Sequence, residues 1–251
     1  MTIRTALLLG LVMTIAVGTA SAQGFYEQTE LFVGGQDNYN TYRIPAVICT
    51  KSGTVLAFSE GRKDVGWDGG PTDIVMKRSL GSAGQWTPAF ATPQGLGRSS
   101  RNTMVWLPLQ VIFSSTNGEA WMNPVPVIDQ HDGTIYLFAN DFPQPYKDGN
   151  APIWMTKSTD EGATWSAPIE LTQTTGRHEL GPGVGIQLQS GRLAVQAYDG
   201  ILYSDDHGKS WKSGGIAPGD SNEPQVVELV DGSLLFSRRK SPNRVFLTSK
   251  D

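Results

Sequence analysis

Hydrophobic and polar residues alternate with a period of two along several short stretches of this chain. The clearest example covers residues 40–48, where one face carries Tyr42, Ile44, Ala46 and Ile48. The opposite face carries Arg43, Pro45 and Val47. Because proline cannot donate a ladder hydrogen bond, the pattern predicts a strand at a sheet edge. An arginine on such an edge indicates a wet, functional space, with an ordinary surface ion pair as the open alternative.

A similar segment recurs four times, and this repeat predicts the architecture. Each copy is a small polar residue, a glycine and an apolar run, as expected for a hairpin; the copies begin at 52, 132, 190 and 231. We predict first strands at 42–48, 124–129, 184–188 and 224–229, and third strands at 73–77, 153–156, 201–203 and 245–248. Fourth strands are expected near Trp86, Trp165 and Trp211, and an additional strand is expected at 30–33. Repeated units of four antiparallel strands are typical of propeller blades, so the sequence predicts an all-β propeller with about four visible blades.

A turn motif joins the predicted third and fourth strands. Residues 158–165 and 204–211 share the pattern Ser-x-Asp-x-Gly-x-Thr/Ser-Trp, residues 79–86 resemble it without the Asp, and a further copy begins at Ser249. An Asp can bond the backbone of its own turn, a Gly accepts positive φ, and a Trp can pack the hairpin onto the sheet. These properties favour a structural role over a calcium loop, for which each turn has too few carboxylates.

Composition restricts the classes of function. The chain has 251 residues, 39% of them hydrophobic and 18% charged, and a net charge of −4. This balance gives no electrostatic argument for nucleic-acid binding or for an anionic membrane surface. Three histidines and one cysteine do not favour a His/Cys metal site, and Cys49 is expected to be a buried strand residue without a disulfide partner.

The N-terminal segment has the features of a secretory signal peptide. Arg4 precedes a short apolar run at 6–17, and residues 20–22 form a small-residue cleavage site. The run is short for a membrane span, which makes a retained anchor the weaker interpretation. We therefore expect an exported protein, periplasmic or secreted, with the signal at 1–22, the mature domain at 23–251 and no membrane span after cleavage.

Blade topology brings separated charged residues to one end of the fold. Arg43 and Glu223 lie near the starts of predicted first strands, and Asp68 and Arg238 lie in predicted loops between second and third strands. Two arginines can bind a carboxylate through paired charge-assisted hydrogen bonds. Two carboxylic acids are the groups that glycosidic cleavage requires. Each residue also has an ordinary explanation, such as a glycine-rich loop for Asp68 or a local ion pair for Glu223.

An ordered set of motifs resembles the sialidases, also called exo-α-neuraminidases. The Ser-x-Asp turns resemble the Asp boxes of that family. The other segments that carry the resemblance are Tyr-Arg-Ile-Pro at 42–45, Ser-Glu-Gly-Arg at 59–62 followed by Asp68, Asn-Pro-Val-Pro-Val at 123–127, Gly-Pro-Gly at 181–183, Asn-Glu-Pro-Gln at 222–225 and Ser-Arg at 237–238. The resemblance extends over nearly all of the chain after the signal and implies a six-bladed sialidase propeller.

The resemblance also implies roles for individual residues. Arg43 and Arg238 would be two of three arginines that bind the carboxylate of sialic acid, and Asp68 would be the general acid/base. Glu223 would assist a tyrosine nucleophile, as in a retaining mechanism. Arg62 would line the pocket or order Asp68. Trp67 and Trp121 would face the sugar or belong to the core. The implied partners are sialylated glycoconjugates, and no cofactor is implied.

The third arginine and the nucleophilic tyrosine of the family are expected later in sequence than Asp251. Tyr198 and Tyr203 precede Glu223 and do not fit the position of the nucleophile. We therefore expect the N-terminal part of a longer exo-sialidase, inactive by itself. The alternatives are a trans-sialidase on the same scaffold and a non-catalytic propeller that binds glycans.

Overall fold

The computed structural model describes residues 28–64, 68–80, 104–142, 151–176, 179–217 and 222–250. The predicted signal peptide, Trp67 and most of the turn expected at 79–86 lie outside these ranges. The residues from Leu31 onward form one compact unit. Its regular structure is sixteen β-strands and one four-residue helix within the described ranges, so the predicted all-β class is confirmed.

The strands form three sheets, which we divide into blades 1 to 4; blades 1 and 2 belong to one nine-stranded sheet, joined by a parallel bridge between Thr72 and Ala120. Blade 1 consists of β1 (Thr41–Cys49), β2 (Val55–Arg62), β3 (Thr72–Leu80), β4 (Val105–Trp106) and β5 (Gln110–Phe113), with β4 and β5 both paired to β3. Blade 2 consists of β6 (Ala120–Ile128), β7 (Ile135–Phe142), β8 (Ile153–Ser158) and β9 (Ile169–Glu170), and is followed by α1 (Thr172–Thr175). Blade 3 consists of β10 (Ile186–Gln187), β11 (Leu193–Ala197), β12 (Gly200–Ser204) and β13 (Lys212–Ile216). Blade 4 consists of β14 (Asn222–Glu228), β15 (Leu234–Arg239) and β16 (Arg244–Ser249).

The predicted first and third strands of all four units are present, with shifted ends, and β1 lies at a sheet edge as Pro45 predicts. The strand expected at 30–33 is wrong. The segment instead leads into a turn, where the carbonyl of Val33 accepts a hydrogen bond from the Gln36 amide at 3.1 Å. Phe32 packs against Tyr42 with ring centroids 5.2 Å apart, so its burial comes from side-chain packing and not from a sheet.

The first strands of blades 1, 2 and 4 share a bulge next to a proline. Ile44, Asn123 and Glu223 have φ angles of 54°, 54° and 45°, and a proline follows each of them. At all three positions the pairing with the next strand shifts by a residue. A bulge of this kind redirects the neighbouring side chains and interrupts pairing. It therefore places Arg43, Asn123 and Glu223 at the same end of their blades.

Apolar side chains fill the space between successive blades. Blades 1 and 2 enclose a cluster that contains Phe58, Phe113 and Leu137, and blades 2 and 3 enclose one that contains Phe138, Leu202 and Trp211. A smaller cluster joins blades 3 and 4; its buried members are Val226, Leu234 and Phe236. Burial of this apolar surface provides the main favourable free energy of such a fold. The expectation of a buried Cys49 is wrong, since this free cysteine ends β1 with its side chain exposed.

The two turns at 158–165 and 204–211, here called the Asp-box turns, have the same internal hydrogen bonds. In the first, Ser158 Oγ accepts from the Gly162 amide at 2.8 Å, and Asp160 accepts from the Thr164 amide at 2.9 Å and from its hydroxyl at 2.6 Å. In the second, Ser204, Asp206, Gly208 and Ser210 occupy equivalent positions. Local side-chain to backbone bonds of this kind specify a turn without help from the rest of the fold.

Each Asp-box turn also contacts the preceding blade. Glu161 accepts hydrogen bonds from three hydroxyls at the β1–β2 hairpin, among them Thr54 at 2.9 Å. In the second turn, His207 Nδ1 lies 2.7 Å from the buried carboxylate of Asp129 at the end of β6. These contacts place the Asp-box turns beside the ends of the first strands, at the end of the blades opposite to Arg43. No helix among the described residues is long and apolar enough to cross a membrane.

Candidate functional site

Asp68 is held between two arginines at the end of the blades where β1 begins. Its Oδ1 lies 2.7 Å from Arg62 Nη2 and 3.3 Å from Arg43 Nη1. The side chain of Asp68 is 71% exposed and that of Arg43 is 47% exposed, whereas Arg62 is 1% exposed. A carboxylate fixed through one oxygen and open to solvent is suited to exchange protons with a bound molecule.

Arg62 is itself fixed by a buried carboxylate on its own strand. Both Nε and Nη2 of Arg62 donate to Glu60 Oε2, at 3.0 and 2.6 Å. Glu60 is fully buried, and its Oε1 accepts from the Asn123 amide of blade 2 at 2.9 Å. Burial raises the pKa of Glu60, and the bond from Asn123 and the charge of Arg62 oppose that rise. Arg62 therefore orders Asp68, which agrees with one of its two expected roles.

A second group of charged residues lies at the start of blade 4. Glu223 Oε2 is 2.8 Å from Arg239 Nη1, and Arg239 Nε donates to the Asn222 side chain at 3.0 Å. The pKa of Tyr198, which follows β11, is affected by the charges of Glu179, Glu223 and Arg239. Burial, followed by the two carboxylates, raises the pKa of Tyr198 to about 12.

The two groups meet through Asn123. Its amide binds Glu60, its side chain donates to the carbonyl of Leu180 at 2.9 Å, and it also hydrogen-bonds the phenol of Tyr198. A path of polar contacts thus runs from Arg43 in blade 1 to Tyr198 in blade 3, and the charges of Glu223 and Arg239 in blade 4 act on the Tyr198 phenol. The bulge in β6 makes this possible, because its positive φ at Asn123 directs both the amide and the side chain away from the regular ladder.

Arg238, one of the expected site residues, is buried within a strand. Arg238 belongs to β15 and not to the loop after it, and it is 2% exposed and donates to the carbonyl of Ala217 at 3.0 Å. Neighbouring strand residues point to opposite faces, so Arg239, 56% exposed, is the arginine beside Glu223. The pair Arg238-Arg239 in the sequence signals that an arginine lies near Glu223. Only the register of β15 shows that this arginine is Arg239.

Sequence reasoning also missed roles for Glu60, Asn123 and Tyr198. Glu60 lies in the Ser-Glu-Gly-Arg motif and Asn123 in the Asn-Pro-Val-Pro-Val motif. The hydrogen bond between them joins two blades and leaves no signal in either motif. Trp121 belongs to the core: its ring packs on Phe113 and Trp154 with centroids 5.0 and 5.8 Å away. Of the two expected roles for Trp121, these contacts favour core packing.

A known family matches most of the chain. The sequence profile described as "BNR repeat-like domain" matches residues 53–251. The chain belongs to that family. It is 31% identical to Sialidase-4 of Mus musculus over 84% of this chain and 48% of the mouse protein. The chain spans about half the length of the curated relatives it matches.

Solved structures show the same fold. A Hadza microbial sialidase, Hz136, superposes with a TM-score of 0.67 at 25% identity, over 87% of this chain and 46% of that chain. The intramolecular trans-sialidase of Ruminococcus gnavus, solved with oseltamivir carboxylate, superposes with a TM-score of 0.63 at 18% identity, over 88% of this chain and 70% of that chain. The fold is therefore the β-propeller type of the sialidases, and the chain is similar to part of such proteins.

Proposed function

We propose that this chain contributes to a retaining exo-sialidase, which hydrolyses terminal α-linked sialic acid from glycoconjugates. The observation that carries the proposal is Asp68, exposed to solvent and fixed through one oxygen by Arg43 and Arg62. The similarity to sialidases over most of the chain supports it. Because the chain spans about half of those relatives, the activity is that of the protein to which these residues belong.

In this proposal Asp68 is the general acid/base. It donates its proton to the glycosidic oxygen as the bond to the sugar breaks, and it then accepts a proton from the incoming water. The two arginines that bind the substrate carboxylate are Arg43 and Arg239. Arg239 is preferred here to Arg238 because Arg239 is 56% exposed and lies beside Glu223, whereas Arg238 is 2% exposed.

Glu223 is proposed as the base that assists a tyrosine nucleophile. Tyr198 is a poor candidate for that nucleophile, since burial and its acidic neighbours raise its pKa to about 12 and disfavour its ionised form. Tyr198 is therefore not assigned as the nucleophile. The Met1–Ala22 segment has the composition of a signal peptide, and we propose that the enzyme is exported and acts on sialylated glycoconjugates outside the cytoplasm.

The experiment measures sialic acid binding and the cleavage of a fluorogenic sialoside by the 251-residue chain and its variants. We expect sialic acid to bind, and Arg239→Ala to weaken binding about tenfold or more, because it removes charge-assisted hydrogen bonds to the carboxylate. Arg244→Ala is the matched control, since Arg244 pairs with Arg239 across β15 and β16 but bonds Ser237. A chain that neither binds nor cleaves would contradict the proposal.

Asp68→Asn separates catalysis from binding. Made in the full-length protein, the variant is expected to retain sialic acid binding and to lose cleavage, and Asp64→Asn in the same segment is the control. If cleavage of a sialoside yields an anhydro sugar or a transfer product instead of free sialic acid, the protein is a trans-sialidase. Binding without cleavage by the whole protein would indicate a glycan-binding propeller.

A further inference from the structure

We infer that Glu60 is a positioning residue: it holds the guanidinium of Arg62, and Arg62 in turn fixes the position of Asp68. The bond from the Asn123 amide to Glu60 fixes this arrangement relative to blade 2. The effect of Glu60 on catalysis rests on the proposed function, in which Asp68 is the general acid/base. The geometric part, a mechanical link from Asn123 to Asp68, is independent of that function. Glu60 would touch neither substrate nor reacting atoms.

The contacts of Glu60 leave little freedom to Arg62. Two nitrogens of the guanidinium share Oε2, at 3.0 and 2.6 Å, which fixes both the position and the plane of the group. Both side chains are essentially without solvent exposure, at 0% and 1%. Arg62 Nη2 also lies 2.7 Å from Asp68 Oδ1. A displacement of the guanidinium therefore moves the oxygen by which Asp68 is held.

The second oxygen of Glu60 fixes the pair relative to the neighbouring blade. Oε1 accepts the amide of Asn123, and that amide is available only because the bulge in β6 interrupts pairing with β7. Asn123 is 7% exposed, so water does not easily replace this bond. The same residue reaches Leu180 and Tyr198 on the side of Glu223. Glu60 thus fixes the position of Asp68 relative to the residues that the later blades contribute.

A buried ion pair is weak evidence for stability, because the cost of removing two charges from water can exceed their mutual attraction. A neutral, well-packed pair would serve the fold as well. The charged pair of Glu60 and Arg62 is therefore better explained by its contact with the exposed Asp68 than by the stability of the fold. A function of Arg62 in the fold alone would not require its guanidinium to reach a carboxylate that is 71% exposed.

The test uses Glu60→Gln, which keeps the shape of the side chain and an acceptor for the Asn123 amide but removes the charge. Asp73→Asn is the control, since Asp73 is a buried carboxylate on the adjacent strand that binds Tyr39, Lys63 and the Ser115 amide. In proton–nitrogen NMR spectra we expect Glu60→Gln to shift the Arg62 Nε–H and the Asp68 amide resonances. Asp73→Asn should leave the Asp68 amide in place. An unmoved Asp68 amide in Glu60→Gln would overturn the inference, whatever the activity.

Catalysis provides the second measurement, made in the full-length protein. Sialyllactose has a poor leaving group that needs a proton, and 4-nitrophenyl sialoside has a good one that does not. Because a positioned general acid contributes about 10²-fold or more, kcat for sialyllactose should fall at least about tenfold further than kcat for the aryl sialoside in Glu60→Gln. Equal losses on both substrates, as expected for Asp73→Asn, would show a merely structural role and overturn the inference.

Two further results keep the inference distinct from the proposed function. If Glu60→Gln does not fold, Glu60→Asp keeps the buried charge but shortens the side chain, and it should shift the Asp68 amide and show the same difference between substrates. If the Asp68 amide shifts as expected but the wild-type protein neither binds nor cleaves sialosides, the proposed function is wrong and the link between Glu60 and Asp68 stands.

Discussion

The two ends of the blades hold their carboxylates in different ways. At the Asp-box end, Asp160 accepts hydrogen bonds from within its own turn, chiefly from the Thr164 hydroxyl and amide, and these lower its pKa to about 2. At the candidate-site end, Glu60 is fully buried, burial raises its pKa, and its partners Arg62 and Asn123 come from two blades. Asp160 is thus held by residues of its own turn, whereas Glu60 is held by residues of two blades.

This difference separates a structural device from a functional one. The Asp-box carboxylates stay in contact with water, so ionisation carries little desolvation cost and their turn bonds stabilise the folded state. Burial raises the pKa values of Glu60 and Tyr198, and at Glu60 the Asn123 amide and the charge of Arg62 oppose that rise. Groups with pKa values perturbed in this way concentrate at functional sites. The comparison therefore supports assigning chemistry to the end where β1 begins.

The largest effect is expected for Gly208→Ala in the second Asp-box turn. Gly208 has a φ of +72°, and an added Cβ would lie 2.2 Å from the ring of Tyr136 in blade 2. Overpacking and positive-φ strain together should lower the free energy of unfolding by about 3 kcal/mol. Urea denaturation of the 251-residue chain measures this.

Gly133→Ala is the matched control for Gly208→Ala. Gly133 has a similar φ of +82°, but an added Cβ would meet no atom within 4 Å. Only backbone strain remains, so the expected loss is about 1 kcal/mol. Equal losses in the two variants would show that the Asp-box turn does not pack tightly against the preceding blade.

The local character of the Asp-box end explains why its structure was predictable from sequence. The pattern at 158–165 names the residues that bond one another, because Ser158, Asp160, Gly162 and Thr164 are their own partners. The period-two pattern in the first strands is equally local, and it correctly predicted β1 as an edge strand. Strand ends were less accurate, since bulges and pairing decide them.

The candidate site was predictable only in part. Arg43, Arg62 and Asp68 come from one blade, and the structure brings them together as expected. The choice between Arg238 and Arg239 depends on the register of β15 against β14, where Asn222 opposes Arg239. A local pattern does not contain that register. The link between Glu60 and Asn123 joins residues 63 positions apart and was likewise invisible in sequence.

An intermediate effect is expected for Asp160→Asn, with a pH dependence of defined sign. The pKa of Asp160 falls from 3.8 to about 2 in the folded protein, so its contribution to stability is present above about pH 4 and is lost as the pH falls towards 2. Because the side chain is exposed and screened, the contribution at neutral pH is about 1 kcal/mol at most. Denaturation at pH 7, 4 and 3 should show the wild-type advantage shrinking with acid. A difference that does not change with pH would contradict the role assigned to the charge.

The smallest effect is expected for the ion pair between Arg192 and Asp205, beside the second Asp-box turn. Arg192 Nε lies 2.7 Å from Asp205 Oδ1, but the side chains are 37% and 43% exposed. Asp205 is next to Asp206, yet only Asp206 accepts the hydrogen bonds of the turn. Solvent screening and side-chain entropy should limit the coupling of the pair to about 0.5 kcal/mol. A double-mutant cycle of Arg192→Met and Asp205→Asn measures it, and a coupling above about 1.5 kcal/mol would show that surface charge, and not the turn, holds this end of the blades.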